Sequence, residues 1–99
     1  MPNYPDKYAD TTTNRTARAI LDRLARRGPS TLAEIALGDG IPGSGTVAFA
    51  EAFAVLTRNV YVRWAADVRR GGRNNPVPSF EATLAGHEVA DIIESAVYS

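Results

Sequence analysis

The sequence predicts a single α+β domain that is mostly helical, with three helices, a two-stranded hairpin and a last helix in that order. Apolar residues recur at helical spacing in three segments between residues 16 and 58. A two-residue alternation then runs from Val60 to Val68 and returns around Phe80. The chain has 99 residues, a length that suits one domain with one small core.

The composition is that of an ordinary globular domain, with 44% hydrophobic and 22% charged residues. No apolar run approaches the roughly 18 residues of a membrane span, and the first residues lack the basic and apolar segments of a secretory signal. The chain has no cysteine, which excludes disulfides, thiolate nucleophiles and cysteine-ligated zinc. We therefore expect a cytoplasmic protein with no membrane partner and no cofactor.

The first 13 residues contain two prolines and little periodicity, so we predict a flexible arm at residues 1–13 and a folded domain at residues 14–99. The first helix carries an apolar stripe from Ala17 to Leu24 and ends at Gly28-Pro29. We interpret its arginines as a solvated face with local pairing to Asp22, and phosphate contact is the alternative. They are Arg15, Arg18, Arg23, Arg26 and Arg27.

A short second helix is predicted from the spacing of Thr31 and Glu34, which is that of a capping box, and Gly38 ends this helix. The glycine-rich loop at residues 38–43 follows. It matches the GxGxxG fingerprint of dinucleotide-binding proteins, but that motif requires a preceding strand, and the preceding segment here is helical. Nucleotide binding is therefore not expected.

The third helix is predicted from about Ser44 to Arg58, and its two faces differ. One side is lined by apolar residues at i, i+3, i+4 and i+7: Phe49, Ala52, Phe53 and Leu56. We expect the opposite side to face outward, and it carries Val47, Glu51, Ala54 and Arg58.

In the hairpin, Val62, Trp64 and Ala66 share one face of the first strand, and we predict that Trp64 packs in the core. The tip is glycine-rich and basic, with the sequence Arg69-Arg70-Gly71-Gly72-Arg73-Asn74-Asn75-Pro76. A last helix from about Leu84 has an apolar stripe that either forms a dimer interface or covers the core of its own domain. The stripe consists of Val89, Ile92, Ile93, Ala96 and Val97.

The order of these segments resembles the winged helix-turn-helix superfamily of bacterial and archaeal transcription regulators, especially the MarR and PadR types. Residues 27–36 resemble the family's entry into its second helix, and residues 56–62 its exit from the recognition helix into the wing. Residues 80–88, with the sequence Phe-Glu-Ala-Thr-Leu-Ala-Gly-His-Glu, resemble the return of the wing to a helix. The resemblance implies a winged-helix fold.

The resemblance also implies a small regulator that binds double-stranded DNA through a basic wing and the third helix, as a homodimer. Glycines let the tip approach a DNA backbone, and arginines gain from the negative potential of a narrow minor groove. The alternative is a solvated tip whose charges only prevent edge-to-edge aggregation. The candidate DNA contacts are Thr31, Ser44, Thr46, Arg58, Arg69, Arg70, Arg73, Asn74 and Asn75.

Two features favour a different function, a protein-interaction module on the same scaffold. The formal net charge is zero, whereas DNA-binding domains usually carry excess positive charge. The outward face of the third helix also lacks the donors and acceptors that read base edges. The candidate protein contacts on this face are Val47, Ala48, Glu51, Ala54 and Val55. The alternative is that the apolar strip is buried against the N-terminal arm or a second subunit.

Enzymatic activity is not expected. The sequence His87-Glu88 followed by Asp91 resembles a zinc-protease helix whose second histidine is replaced, and one histidine with one carboxylate is a poor zinc site. The chain has one histidine, so no serine or threonine has a plausible neighbouring base for nucleophilic catalysis.

Overall fold

The structure, a computed structural model, describes residues 11–69 and 76–90. Four helices and a three-stranded antiparallel sheet in the order β1-β3-β2 make up this part of the chain, so the fold is α+β and mostly helical, as predicted. In chain order the elements are helix α1 (Thr12–Arg27), strand β1 (Ser30–Thr31), helix α2 (Leu32–Ile35), helix α3 (Val47–Arg58), strands β2 (Val62–Val68) and β3 (Val77–Ala82), and helix α4 at residues 84–90.

Helix α1 begins at Thr12, inside the segment predicted as an arm, because Thr11 caps it. The Thr11 hydroxyl accepts a hydrogen bond from the backbone N–H of Asn14 at 3.1 Å. At the other end Gly28 has a φ of 80°, a conformation that side chains strongly disfavour, and its N–H bonds to the carbonyl of Leu24. The rest of the predicted arm, residues 1–10, lies outside the described residues.

Strand β1 was not predicted, and it uses the residue that starts α2. Thr31 pairs with Ser79 in the sheet, and Ser30 pairs with Phe80. The predicted capping box is confirmed, since the Thr31 hydroxyl accepts from the Glu34 N–H at 3.2 Å and the Glu34 carboxylate accepts from the Thr31 N–H at 2.9 Å. The two residues therefore fix where the strand ends and the helix begins.

The core lies between α1, α3 and the base of the hairpin. Phe53 stacks on Phe49 with ring centroids 5.8 Å apart and meets Phe80 of β3 edge-on at 5.0 Å. The buried apolar residues are Ala17, Ile20, Leu21, Leu24, Ile35, Phe49, Ala52, Leu56, Val62, Ala82 and Ala90. The predicted inner faces of α1 and α3 are confirmed by this set.

The predicted strand from Val60 begins only at Val62, because Val60 has a φ of 58°. A positive φ is rare for a β-branched residue and costs on the order of 1–3 kcal/mol. Both backbone polar groups of Val60 are hydrogen-bonded. Its N–H donates to the Thr57 carbonyl, and its carbonyl accepts from the Thr83 hydroxyl at 2.6 Å. This bond ties the end of α3 to the start of α4.

Helix α4 starts beside the same turn, and its glycine makes the contact possible. The Gly86 N–H donates to the Thr83 hydroxyl at 3.1 Å, as in a helix cap, and the Thr83 N–H donates to the Tyr61 carbonyl at 2.9 Å. A Cβ on Gly86 would overlap that same Tyr61 carbonyl oxygen. Only glycine lets α4 lie this close to the backbone of the β2 entry.

Candidate nucleic-acid interface

The hairpin β2–β3 leads to the predicted DNA-contacting tip. Arg69, which directly follows β2, is exposed, and the described chain resumes at Pro76 before β3. The other candidates at the tip are Arg70, Arg73, Asn74 and Asn75, and they lie outside the described residues. Of the tip, the structure therefore describes only its two ends.

Lower on the hairpin, two charges pair with each other. The Arg63 Nε–H donates to the Glu81 carboxylate at 2.7 Å, and these residues face each other across β2 and β3. The Arg63 side chain is 65% exposed, so the pair contributes little to stability. It does neutralise the arginine of the hairpin stem, and the other arginines between β2 and β3 follow β2 in the sequence.

The candidates around α3 are exposed, but one of them has a structural task. Arg58 ends α3 on the surface, and Ser44 lies in the exposed turn before the helix. Thr46 caps α3: its hydroxyl accepts from the Phe49 N–H at 3.2 Å and donates to the Gly43 carbonyl at 2.7 Å. A contact from Thr46 to DNA would therefore compete with the helix cap.

Thr31, one of the candidate DNA contacts, is buried in the domain. The residue is only 3% exposed, and its hydroxyl is committed to the capping box. The pattern that suggested a phosphate contact, a threonine before a helix, is the same pattern that produces a buried cap. The sequence could not separate the two because β1, which buries Thr31 against β3, is only two residues long.

The outward face of α3 is confirmed. Val47 is 74% exposed, and Ala48, Glu51, Ala54 and Arg58 are exposed as well. Val55, at the edge of this face, is half-buried, and its carbonyl accepts from the Asn59 side chain at 2.7 Å. Arg58 is the one side chain of this face that donates hydrogen bonds in the manner that base edges and phosphates require.

Trp64, predicted to pack in the core, lies instead on the surface, so that prediction is wrong. It is 58% exposed, and its indole N–H donates to the Asp67 carboxylate at 3.1 Å. The helices bury Val62 and Ala82 and partly cover Phe80, the cross-strand partner of Trp64, but they leave the Trp64 side chain exposed. A bulge between Trp64 and Ala66 shifts the register and brings Asp67 to the tryptophan. The sequence of β2 contains no pattern that predicts this bulge.

Replacing Trp64 with alanine is expected to change the free energy of unfolding by less than about 1 kcal/mol, because surface substitutions rarely cost more. The matched control is Phe49→Ala, which removes a 2% exposed ring and is expected to cost about 3–5 kcal/mol. Urea denaturation of both variants measures the difference. Equal losses for the two variants would show that Trp64 is part of the core.

Two arginines of α1 make contacts within the domain. Arg26 pairs with Asp22 at 3.0 Å, as predicted, and the Arg23 Nε–H donates to the Glu34 carbonyl at 3.1 Å. Arg23 and Arg27 lie between two open grooves of about 330 and 320 Å³, which are also lined by acidic residues. These contacts fit the interpretation of a solvated face with local pairing.

No three histidine, cysteine, aspartate or glutamate side chains among residues 11–69 and 76–90 lie close enough to share a metal ion. His87 is exposed in that range, and Asp91 lies outside it. Nor does the described part of the chain contain a helix with the length and apolarity to cross a membrane.

Val89, the first residue of the predicted dimer stripe, is partly buried against the core of its own domain. At this position the helix therefore covers its own domain. The other residues of the stripe are Ile92, Ile93, Ala96 and Val97, and they lie outside the described residues.

Comparison of the chain with protein-family models, with curated protein sequences and with solved structures finds no match.

Proposed function

We propose that this protein is a winged-helix domain that binds double-stranded DNA and regulates transcription. The proposal draws support from the element order α1-β1-α2-α3-β2-β3. In the sheet, the short β1 pairs with β3 on the side opposite β2. That order is the layout of a winged helix, with α3 as the recognition helix and the hairpin as the wing. Such a scaffold offers one helix and one hairpin to a duplex.

The observation that carries the proposal is the separation of charge along the hairpin. On the stem, Arg63 is neutralised by Glu81. From the exposed Arg69 onward the sequence places three arginines within five residues, next to two glycines and two asparagines. Guanidinium groups on a glycine-bearing loop suit the phosphate backbone and the narrow minor groove.

Helix α3 would lie near the major groove and read sequence weakly. Its exposed face carries valine and alanine side chains and a carboxylate, which repels phosphate, and Arg58 is its one donor. Affinity would therefore come mainly from phosphate contacts. Such binding is steeply salt-dependent because it releases counterions.

The test is the affinity for a fluorescent duplex, measured by anisotropy at several salt concentrations. With about four phosphate contacts, log K is expected to fall with log salt at a slope of about −3.6, which weakens binding about 150-fold between about 50 and about 200 mM salt. Two duplexes of unrelated sequence are expected to bind with similar affinity. A flat salt dependence, or no binding at low salt, would contradict the proposed function.

A further inference from the structure

Helix α3 is more apolar than its burial requires. All but three of its 12 residues are apolar, the exceptions being Glu51, Thr57 and Arg58, yet only Phe49, Ala52 and Leu56 are buried in the domain. A helix that is apolar on most of its circumference is normally covered on most of it. One face of α3 therefore lacks a covering partner within the described part of the chain.

The uncovered face has apolar residues near both ends of the helix. Val47 is 74% exposed and Ala48 is exposed in the first turn, Ala54 is exposed about two turns later, and Val55 is half-buried at the edge. The described part of the domain leaves this strip open to water. Exposed apolar side chains grouped on one face of a helix indicate a contact site for another protein.

The two charges on this face indicate which protein fits. Glu51 and Arg58 are seven residues apart, which places them on the same side of α3, two turns and about 10 Å apart along the axis. The face thus has a negative charge at one position and a positive charge at another, with small apolar residues between. When a second copy of the helix is placed antiparallel to the first, the negative charge of each face lies opposite the positive charge of the other.

An antiparallel pair of α3 helices satisfies this complementarity. If the two-fold axis passes between Ala54 and Val55, each Glu51 lies opposite Arg58 of the second copy, and the same contact occurs twice. Ala54 lies at the crossing, where a small side chain allows helix axes to approach to about 8 Å. A parallel pair would place each Glu51 against the other Glu51, and like charges opposed in this way disfavour that arrangement.

We infer that a second copy of this chain covers the exposed face of α3, in an antiparallel two-fold dimer held by apolar contact and two Glu51–Arg58 ion pairs. One helix pair buries less than the roughly 800 Å² per partner of a stable interface, so the dimer is reversible and depends on concentration. The dimer goes beyond the proposed function and does not depend on it. With the DNA-facing role of α3 proposed above, the dimer and the DNA-bound state would exclude each other.

The experiment is sedimentation analysis of the full chain over a wide concentration range, without DNA. The wild type is expected to pass from monomer to dimer as its concentration rises. Glu51→Arg and Arg58→Glu each set like charges against each other across the two-fold axis and are expected to weaken the dimer by at least about 10-fold. The double variant Glu51→Arg/Arg58→Glu restores opposite charges and is expected to regain most of the affinity.

The matched control is Asp39→Arg, which makes the same change of charge as Glu51→Arg at an exposed loop position. It is expected to dimerise like the wild type. Circular dichroism of each variant verifies that the fold is retained, which is expected because Glu51 and Arg58 are exposed. A wild type that is monomeric at every concentration, single variants that dimerise normally, or a double variant no better than either single variant would each overturn the inference. Because no DNA is present, these results are distinct from a failure of DNA binding.

Discussion

Replacing Gly86 with alanine is expected to lower the free energy of unfolding by about 3 kcal/mol, near the upper end of the range for overpacked cores. The added Cβ would overlap the Tyr61 carbonyl oxygen and lie 3.2 Å from a methyl carbon of Leu21, which is fully buried. The first contact is with backbone, so no side-chain rotation relieves it. Helix α4 must move instead, and the hydrogen bond from the Thr83 N–H to the same carbonyl is strained with it.

The direction of the expected stability change distinguishes a close contact at Gly86 from an open helix position. In an open helix position, alanine is more favourable than glycine by up to about 1 kcal/mol. A variant that is as stable as the wild type would therefore show that α4 does not approach Tyr61 as described. The matched control is Gly45→Ala, where an added Cβ meets nothing within 4 Å, and its urea midpoint is expected to stay close to that of the wild type.

Removing the arginines of the hairpin tip is expected to have the largest effect on DNA binding. In the variant Arg69→Ala/Arg70→Ala/Arg73→Ala, the salt slope is expected to become shallower by about 3, and affinity at low salt to fall by about 100-fold. The reason is that each lost guanidinium leaves about one phosphate with its counterions still bound. Anisotropy titrations at several salt concentrations measure both quantities.

The control for the tip variant removes the same number of charges from α1, with Arg15→Ala/Arg26→Ala/Arg27→Ala. This variant has the same net charge, so an effect of total charge would appear equally in both. We expect a much smaller loss of affinity in the α1 variant. Equal losses would mean that the tip makes no particular contact with DNA, and the proposal of a DNA-binding wing would fail.

Local patterns were sufficient where one physical requirement acts on neighbouring residues. The capping box of Thr31 and Glu34, the end of α1 at Gly28 and the two faces of α3 all depend on residues within two turns of each other, and the structure confirms them. Each of these features depends on backbone hydrogen bonds or on helical periodicity. Neither requires knowledge of the rest of the fold.

Local sequence patterns did not predict how far Trp64 and Thr31 are buried. Alternation assigns Trp64 to the face of Val62, but only the packing of the helices leaves Trp64 exposed while its cross-strand partner Phe80 is partly covered. A threonine before a helix predicts a cap, but only the pairing of Thr31 with Ser79 buries it. In both cases the burial of the side chain depends on whether an element distant in sequence packs over it, which the neighbouring residues do not indicate.

The amino-acid order alone therefore accounts for the helices, the two strands of the hairpin, the outward side of α3 and the concentration of arginine between those strands, because each follows from spacing along the chain. The close approach of Gly86 to Tyr61, the positive φ of Val60 and the exposure of Trp64 came only from the folded chain. They depend on segments that are distant in sequence and brought together by packing. The residues next to each position do not determine which distant segment will lie against it.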